Sequence, residues 1–259
     1  MVPCVDLVNH SQQATAYFEE NLNEDVVLLP RKGVSILQQD ELTINYGQDK
    51  SAAEMLFSYG FVDPTSAAKS IVLPVEPMND DPLAKAKLHA FGSAPILKIT
   101  DSDTGVPQWD APFVQLMCLN HEDGLHFKVL QETDGSQHLK MFWQDSDVTG
   151  EPGNMGNLIK GHEMSQIFRL RAVTVVLRII GQQLEILEPY DEISSAGSER
   201  AHILEAVLHL RGIERDLLKR TSQELEHEQA RLLEDESVTT YFAAMNGPQE
   251  DDFGDEDFS

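Results

Sequence analysis

The sequence predicts an α+β chain, β-rich in its N-terminal part and mainly α-helical after it, and three observations carry that expectation. Between residues 26 and 46, short runs of aliphatic and β-branched residues alternate with turn and charged residues, the mark of small strands. Further on, Ile167, Leu170, Val173, Val176, Leu177, Ile180 and Leu184 recur at helical spacing. A hydrophobic content of 41% over 259 residues is enough to fill cores of both kinds.

Taken in order, Val26-Val27-Leu28-Leu29, residues 33–37 and residues 42–46 read as three short strands. Ser51 can cap a helix through its hydroxyl with Glu54 three places on; Met55, Leu56 and Tyr59 follow at helical spacing, and Gly60 ends the helix. From Pro64 to Pro112 repeated prolines weaken the pattern and leave one strand around Ile71 and one helix over residues 84–91. Residues 125–131 and 138–144 flank Asp134-Gly135 and predict a hairpin. Gly150, Gly153 and Gly156 read as a flexible connector, since no Lys-Ser or Lys-Thr follows as a phosphate loop requires.

The stripe from Ile167 predicts a largely buried helix ending near Pro189. Ser198-Glu199 opens a second long helix that runs to Leu233 and is expected to pack against the first. Residues 249–259 are mostly Asp and Glu with Phe253 and Phe258, too polar to build a core, and are expected to be disordered. The resulting division is residues 1–62, a connecting stretch 63–110 that begins the helical domain, a helical domain 111–245 and an acidic tail 246–259.

Composition narrows the function. With 44 acidic and 19 basic side chains the formal net charge is −25, so phosphate backbones are repelled and nucleic acid is not an expected partner. A basic protein would be drawn to such a surface, although acidity also serves solubility alone. Cys4 and Cys118, the only cysteines, lie far apart, which leaves no disulfide framework and no clustered zinc ligands. The most apolar stretch, residues 170–180, contains Arg171 and Arg178 and is shorter than the roughly 20 residues of a membrane span. Residues 2–7 show neither a basic region nor an extended apolar run, so the expected location is the cytosol or nucleus. His162-Glu163 is followed by Gln166 where a zinc protease needs a second histidine, and no metal site is expected.

Three segments hold the chemistry: Asp6-Leu7-Val8-Asn9-His10-Ser11, then Asp40-Glu41-Leu42-Thr43-Ile44-Asn45-Tyr46-Gly47, then Leu56-Phe57-Ser58-Tyr59-Gly60-Phe61. Singly they are ordinary; in this order and spacing they resemble the C-terminal motifs of a SET domain, most closely the branch of the Rubisco large-subunit methyltransferase. The motifs cover residues 1–62, and the helical remainder is similar to that branch's substrate-binding domain in layout.

The resemblance implies a C-terminal fragment of a SET domain joined to that helical domain, and an S-adenosylmethionine-dependent protein-lysine N-methyltransferase with a non-histone protein substrate. On the family pattern, the Asn-His segment and the tyrosine segment thread past each other to build the site. Asn9 and His10 are expected to hold the adenosyl part of S-adenosyl-L-methionine, Tyr46 to be the catalytic tyrosine beside the methyl group, and Tyr59 and Phe61 to line the lysine channel. Competing roles are a hydrogen-bonded core histidine for His10, a strand-end tyrosine capping the core for Tyr46, and core packing for Tyr59 and Phe61. Phe61, lacking a hydroxyl, is expected to permit di- or trimethylation. A related branch methylates histidine, and lysine is the favoured target here.

The family also has an N-terminal portion with a Gly-x-Gly element that is not found in this sequence, so part of the sheet and of the cofactor contacts is expected to be missing, with edges and apolar surface left exposed. Three readings stay open: part of a longer enzyme, a start assigned too late, or a protein-interaction module that retains a SET remnant without activity. Oligomeric state is not legible.

Overall fold

The structure, a computed structural model, describes residues 5–63, 69–102, 104–188 and 201–245. The acidic tail, Pro189 and Ser198-Glu199 lie outside the described residues. Two compact units emerge, one from the described residues of 1–71, 100–108 and 187–218, the other from those of 72–99, 109–186 and 219–259.

In the first unit, β1 (Asn9–His10) pairs in parallel with β4 (Thr43–Ile44), Asn9 opposite Thr43 and His10 opposite Ile44. The pairing is reinforced beside the ladder, where the Thr43 N–H donates to the Thr15 hydroxyl at 2.9 Å and the Ser11 N–H to the Ile44 carbonyl at 3.0 Å. β2 (Ala16–Glu20) and β3 (Val26–Pro30) form an antiparallel hairpin from Ala16–Pro30 to Glu20–Val26. Its turn is fixed by the Asn21 side-chain oxygen, which accepts from the Asn23 and Asp25 N–H groups at 2.9 and 3.0 Å, the local bonding that favours asparagine in turns. β2 escapes the sequence reading because Ala-Tyr-Phe-Glu-Glu lacks an apolar alternation; Ala16 alone among its residues is buried.

Two expectations are corrected in this stretch. Residues 33–37 form no strand. Gly33 sits at φ +83°, the Val34 N–H turns back to the Arg31 carbonyl, and the Leu37 N–H is taken by the Asp40 carboxylate at 2.7 Å, so local turns use the backbone groups a ladder needs. The strand expected over 42–46 is confined to Thr43 and Ile44.

Helix α1 (Ala52–Tyr59) follows the sequence expectation at both ends. The Ser51 hydroxyl accepts from the Glu54 N–H while the Glu54 carboxylate accepts from the Ser51 N–H at 2.7 Å, a reciprocal capping box. Gly60 closes the helix at φ +80°, donating its N–H to the Leu56 carbonyl at 2.9 Å, in a backbone region that glycine enters at little cost. Large apolar side chains stand in solvent on this unit, Phe57 at 94% and Leu7 at 75% exposure.

The proline-rich stretch holds more structure than its pattern shows. β5 (Ser70–Pro74) and α2 (Ala84–Phe91) are where the sequence puts them, but β6 (Ile96–Thr100), β7 (Gln108–Asp110) and α3 (Pro112–Met117) are additional. The sheet order is β5-β6-β7, and Pro112 opens α3 at a position where its missing N–H costs nothing. Lys87 on α2 is almost wholly buried; its ammonium binds the Asp81 carboxylate at 2.6 Å and the Met117 carbonyl at 3.0 Å.

β8 (Leu125–Gln131) and β9 (Gln137–Trp143) form the expected hairpin, with β10 (Ser146–Asp147) on the far side of β9. The connector expected at Gly150–Gly156 is instead a 3-10 turn, Pro152–Asn154, running into α4 (Met155–Leu158), because Met155 is drawn fully into the core. That core gathers Leu116, Leu119, Leu125, Met141, Trp143, Met155 and Phe168. α5 (Ser165–Leu187) buries Ile167, Phe168, Ala172, Val173, Val176 and Ile180, as its wide apolar side requires. It packs against α6 (Ala201–Leu233), where Arg169 grips Glu228 with two nitrogens at 2.6 and 3.0 Å and Gln229 donates to Thr174. A final helix, α7 (Glu236–Met245), was not foreseen. Among the described residues no helix is long and apolar enough to cross a membrane, and no group of three or more His, Cys, Asp or Glu is placed to hold a metal ion.

Candidate active site

The site is built by the parallel contact of β1 and β4. Side by side, the two strands bring a segment near residue 9 against one near residue 45, and the chain continues through α1 to return Tyr59 and Phe61 to the same place. Tyr46 is the hub. Its hydroxyl donates to the Val8 carbonyl at 2.7 Å, and its backbone N–H donates to Nδ1 of His10 at 3.1 Å. One turn on, the Asn45 side-chain oxygen accepts the Gly47 N–H at 2.9 Å and bends the chain away from the strand.

Three rings surround Tyr46. Tyr46 lies 5.2 Å from His10, 4.6 Å from Tyr59 and 6.4 Å from Phe61, centroid to centroid, and Phe61 lies 5.8 Å from His10. The inclined geometries are those that aromatic quadrupoles favour over face-to-face stacking. On the exposed side, the Lys50 ammonium donates to the Tyr59 hydroxyl at 2.5 Å, 4.6 Å from the ring centroid.

His10 is electrostatically distinctive. Burial is the main influence and holds its imidazole below the usual histidine range; the Asp63 carboxylate pulls the other way, Lys69 reinforces burial, and the Ile44 carbonyl opposes it. Its Nε2 is buried and has no hydrogen-bond partner among the described residues. A buried polar atom without a partner is rare in folded proteins.

Of the residues expected from sequence, His10, Tyr46, Tyr59 and Phe61 converge. Asn9 turns outward, and its amide donates to the Glu41 carboxylate at 2.5 Å. Sequence reasoning assigned no role to Val8, Glu41 or Lys50. Val8 acts through a backbone carbonyl, which leaves no mark on residue type, whereas Glu41 and Lys50 sit inside or beside the quoted motifs and only tertiary pairing gives them partners. Cys118, in the second unit, is no candidate nucleophile: burial pushes its thiol up to about 12.

No protein-family model matches the chain. SET domain-containing protein 8 of Schizosaccharomyces pombe is 32% identical over 142 residues, covering 53% of this chain and 32% of that protein. The ribulose-1,5 bisphosphate carboxylase/oxygenase large subunit N-methyltransferase of Nicotiana tabacum is 27% identical over 138 residues, 48% of this chain and 28% of that protein. The solved structure of Rubisco LSMT bound to AdoMet matches 96% of this chain and 55% of its own at a TM-score of 0.56, with 18% identity. The chain has the SET-domain fold of the Rubisco methyltransferase type. In that fold the β-rich first part and the helical remainder are the two expected components. The chain spans 55% of that solved chain, and the matched stretches span about a third or less of the two curated relatives.

Proposed function

We propose that this chain carries the methyl-transfer tyrosine of an S-adenosylmethionine-dependent protein-lysine N-methyltransferase that acts on a non-histone protein in the cytosol or nucleus. The observation that carries the reading is the double anchoring of Tyr46 at the centre of the ring cluster formed with His10, Tyr59 and Phe61. Relatives named as SET-domain proteins and N-methyltransferases support it at the level of the family.

The residues present fit the cofactor. The orphaned Nε2 of His10 asks for an acceptor from outside the described residues, and a nucleoside provides such acceptors. His10 would hold it, whereas the outward-turned side chain of Asn9 is engaged by Glu41, and when bound the cofactor supplies a sulfonium methyl group for in-line displacement by an amine.

The chain's own residues prepare that displacement. Tyr46 gives its one hydroxyl proton to the Val8 carbonyl, which leaves the oxygen's lone pairs free to accept. An oxygen so pinned accepts weak C–H contacts from a polarised methyl and fixes the direction of an incoming amine, effects that are small but geometrically selective. Tyr59 and Phe61 wall the site with apolar rings that exclude water, which favours the neutral form of a lysine whose free pKa is about 10.4. Ring faces also attract ammonium groups.

The test is methyl transfer from labelled S-adenosylmethionine to a mixture of basic proteins, alongside calorimetry of cofactor binding. Tyr46→Phe is expected to lower kcat at least about tenfold, roughly 1.4 kcal/mol in the barrier, with cofactor affinity little changed. Unaltered turnover in the variant, or no cofactor binding by the chain, overturns the proposal.

A further inference from the structure

We infer that His10 is the positioning residue of Tyr46, and that it works only as the neutral imidazole carrying its proton on Nε2, so that uptake of one proton disarms the site. The inference rests on the reading of Tyr46 as the residue at the reacting centre.

The geometry assigns the tautomer. The Tyr46 backbone N–H is a donor and can only approach a ring nitrogen that bears a lone pair, so Nδ1 of His10 is unprotonated and the ring proton sits on Nε2. Protonation puts a second N–H on Nδ1, facing the Tyr46 N–H, and turns an attraction into a clash of donors. Two donors facing each other repel, which pushes the imidazole off the Tyr46 amide. The phenol is then left with its tie to Val8 alone. Both ties of Tyr46 run to the same short segment, residues 8 to 10, so the histidine sets the lateral position of the ring and the carbonyl sets its tip. A misplacement of order 1 Å at a reacting centre costs on the order of a hundredfold in rate.

The groups that bear on His10 decide where the switch acts. Burial opposes the charged form most strongly, Asp63 favours it, Lys69 opposes it and Ile44 favours it, while Tyr46 and Phe61 pack against the ring and Tyr59 stands behind them. The balance keeps the ring neutral to lower pH than an exposed histidine. The armed state is therefore complete above the ordinary histidine range and is lost as pH falls through the lowered value.

The experiment is long-range proton–nitrogen correlation NMR on the chain labelled with 15N, followed through a pH titration, with His10 assigned by the peaks lost in His10→Asn. The expected result is the Nε2–H tautomer at neutral pH, a midpoint below those of exposed histidines, and a Tyr46 amide peak that shifts with that same midpoint. In His10→Asn the side-chain oxygen accepts the same amide, so the Tyr46 peak is expected to hold its position and lose its pH dependence. A ring protonated at Nδ1 at neutral pH, or a Tyr46 amide that ignores the His10 titration, overturns the inference, and the wild-type titration decides it if the variant fails to fold. None of these readouts needs turnover. A chain without methyl transfer would sink the functional reading and leave only the tautomer and its proton-dependent hold on the Tyr46 amide standing, whereas an active chain with the wrong tautomer would sink the inference alone.

Discussion

At position 61 the ring that closes the cluster is a phenylalanine, 5.8 Å from His10 and 6.4 Å from both tyrosines. A hydroxyl there would be a polar group among rings, and the group best able to satisfy it is a water, which takes up the space a second or third methyl needs. Phe61→Tyr is therefore expected to shift the products of peptide methylation toward the monomethyl form, read by mass spectrometry; an unchanged product distribution would remove Phe61 from the channel. At this scale the sequence was most informative about side chains. His10, Tyr46, Tyr59 and Phe61 stand together in space, while the Val8 carbonyl that holds the tyrosine hydroxyl is invisible in the sequence, because every residue type offers the same backbone oxygen.

Among elements, α1 and α2 show two different ways of fixing a helix. α1 is legible because its signals are local: a capping serine, a glutamate three residues on, a closing glycine. Helix α2 has no side-chain cap at Leu83, and the buried ion pair between Lys87 and Asp81 ties it to the turn before it. Removing the carboxylate leaves an ammonium in the interior with, among the described residues, the Met117 carbonyl as its remaining partner. Asp81→Ala is expected to destabilise the fold by about 3–5 kcal/mol in urea unfolding, and Lys87→Met, which removes the charge as well, by clearly less. Equal losses from the two would show that the ion pair is not what matters. The elements missed by the sequence reading, β2, β6, β7, β10, α3, α4 and α7, are short, and each lacks either alternation or enough turns for its periodicity to show.

Over the whole molecule the dominant feature is charge, −25 in 259 residues. Exposed charges of one sign act at a distance that salt sets, about 10 Å at 0.1 M ionic strength, so association with a lysine-rich substrate is expected to slow and weaken as salt rises from about 0.05 to 0.2 M. Fluorescence anisotropy with a basic peptide measures it directly. Binding that does not respond to salt would assign the acidity to solubility instead.

What the sequence determined by itself is the order of chemistry along the chain: an Asn-His pair, a short strand followed by Asn-Tyr-Gly, a capped helix that delivers Tyr-Gly-Phe, then long amphipathic helices. Residue type and spacing suffice for these because the forces involved act within a few residues. The tertiary structure decided which atoms meet: that β1 lies parallel to β4, that Nδ1 of His10 takes the Tyr46 amide, and that Val8 takes its hydroxyl. Those contacts join residues 36 and 38 positions apart, where the spacing that governs a helix or a hairpin no longer says which groups will face each other.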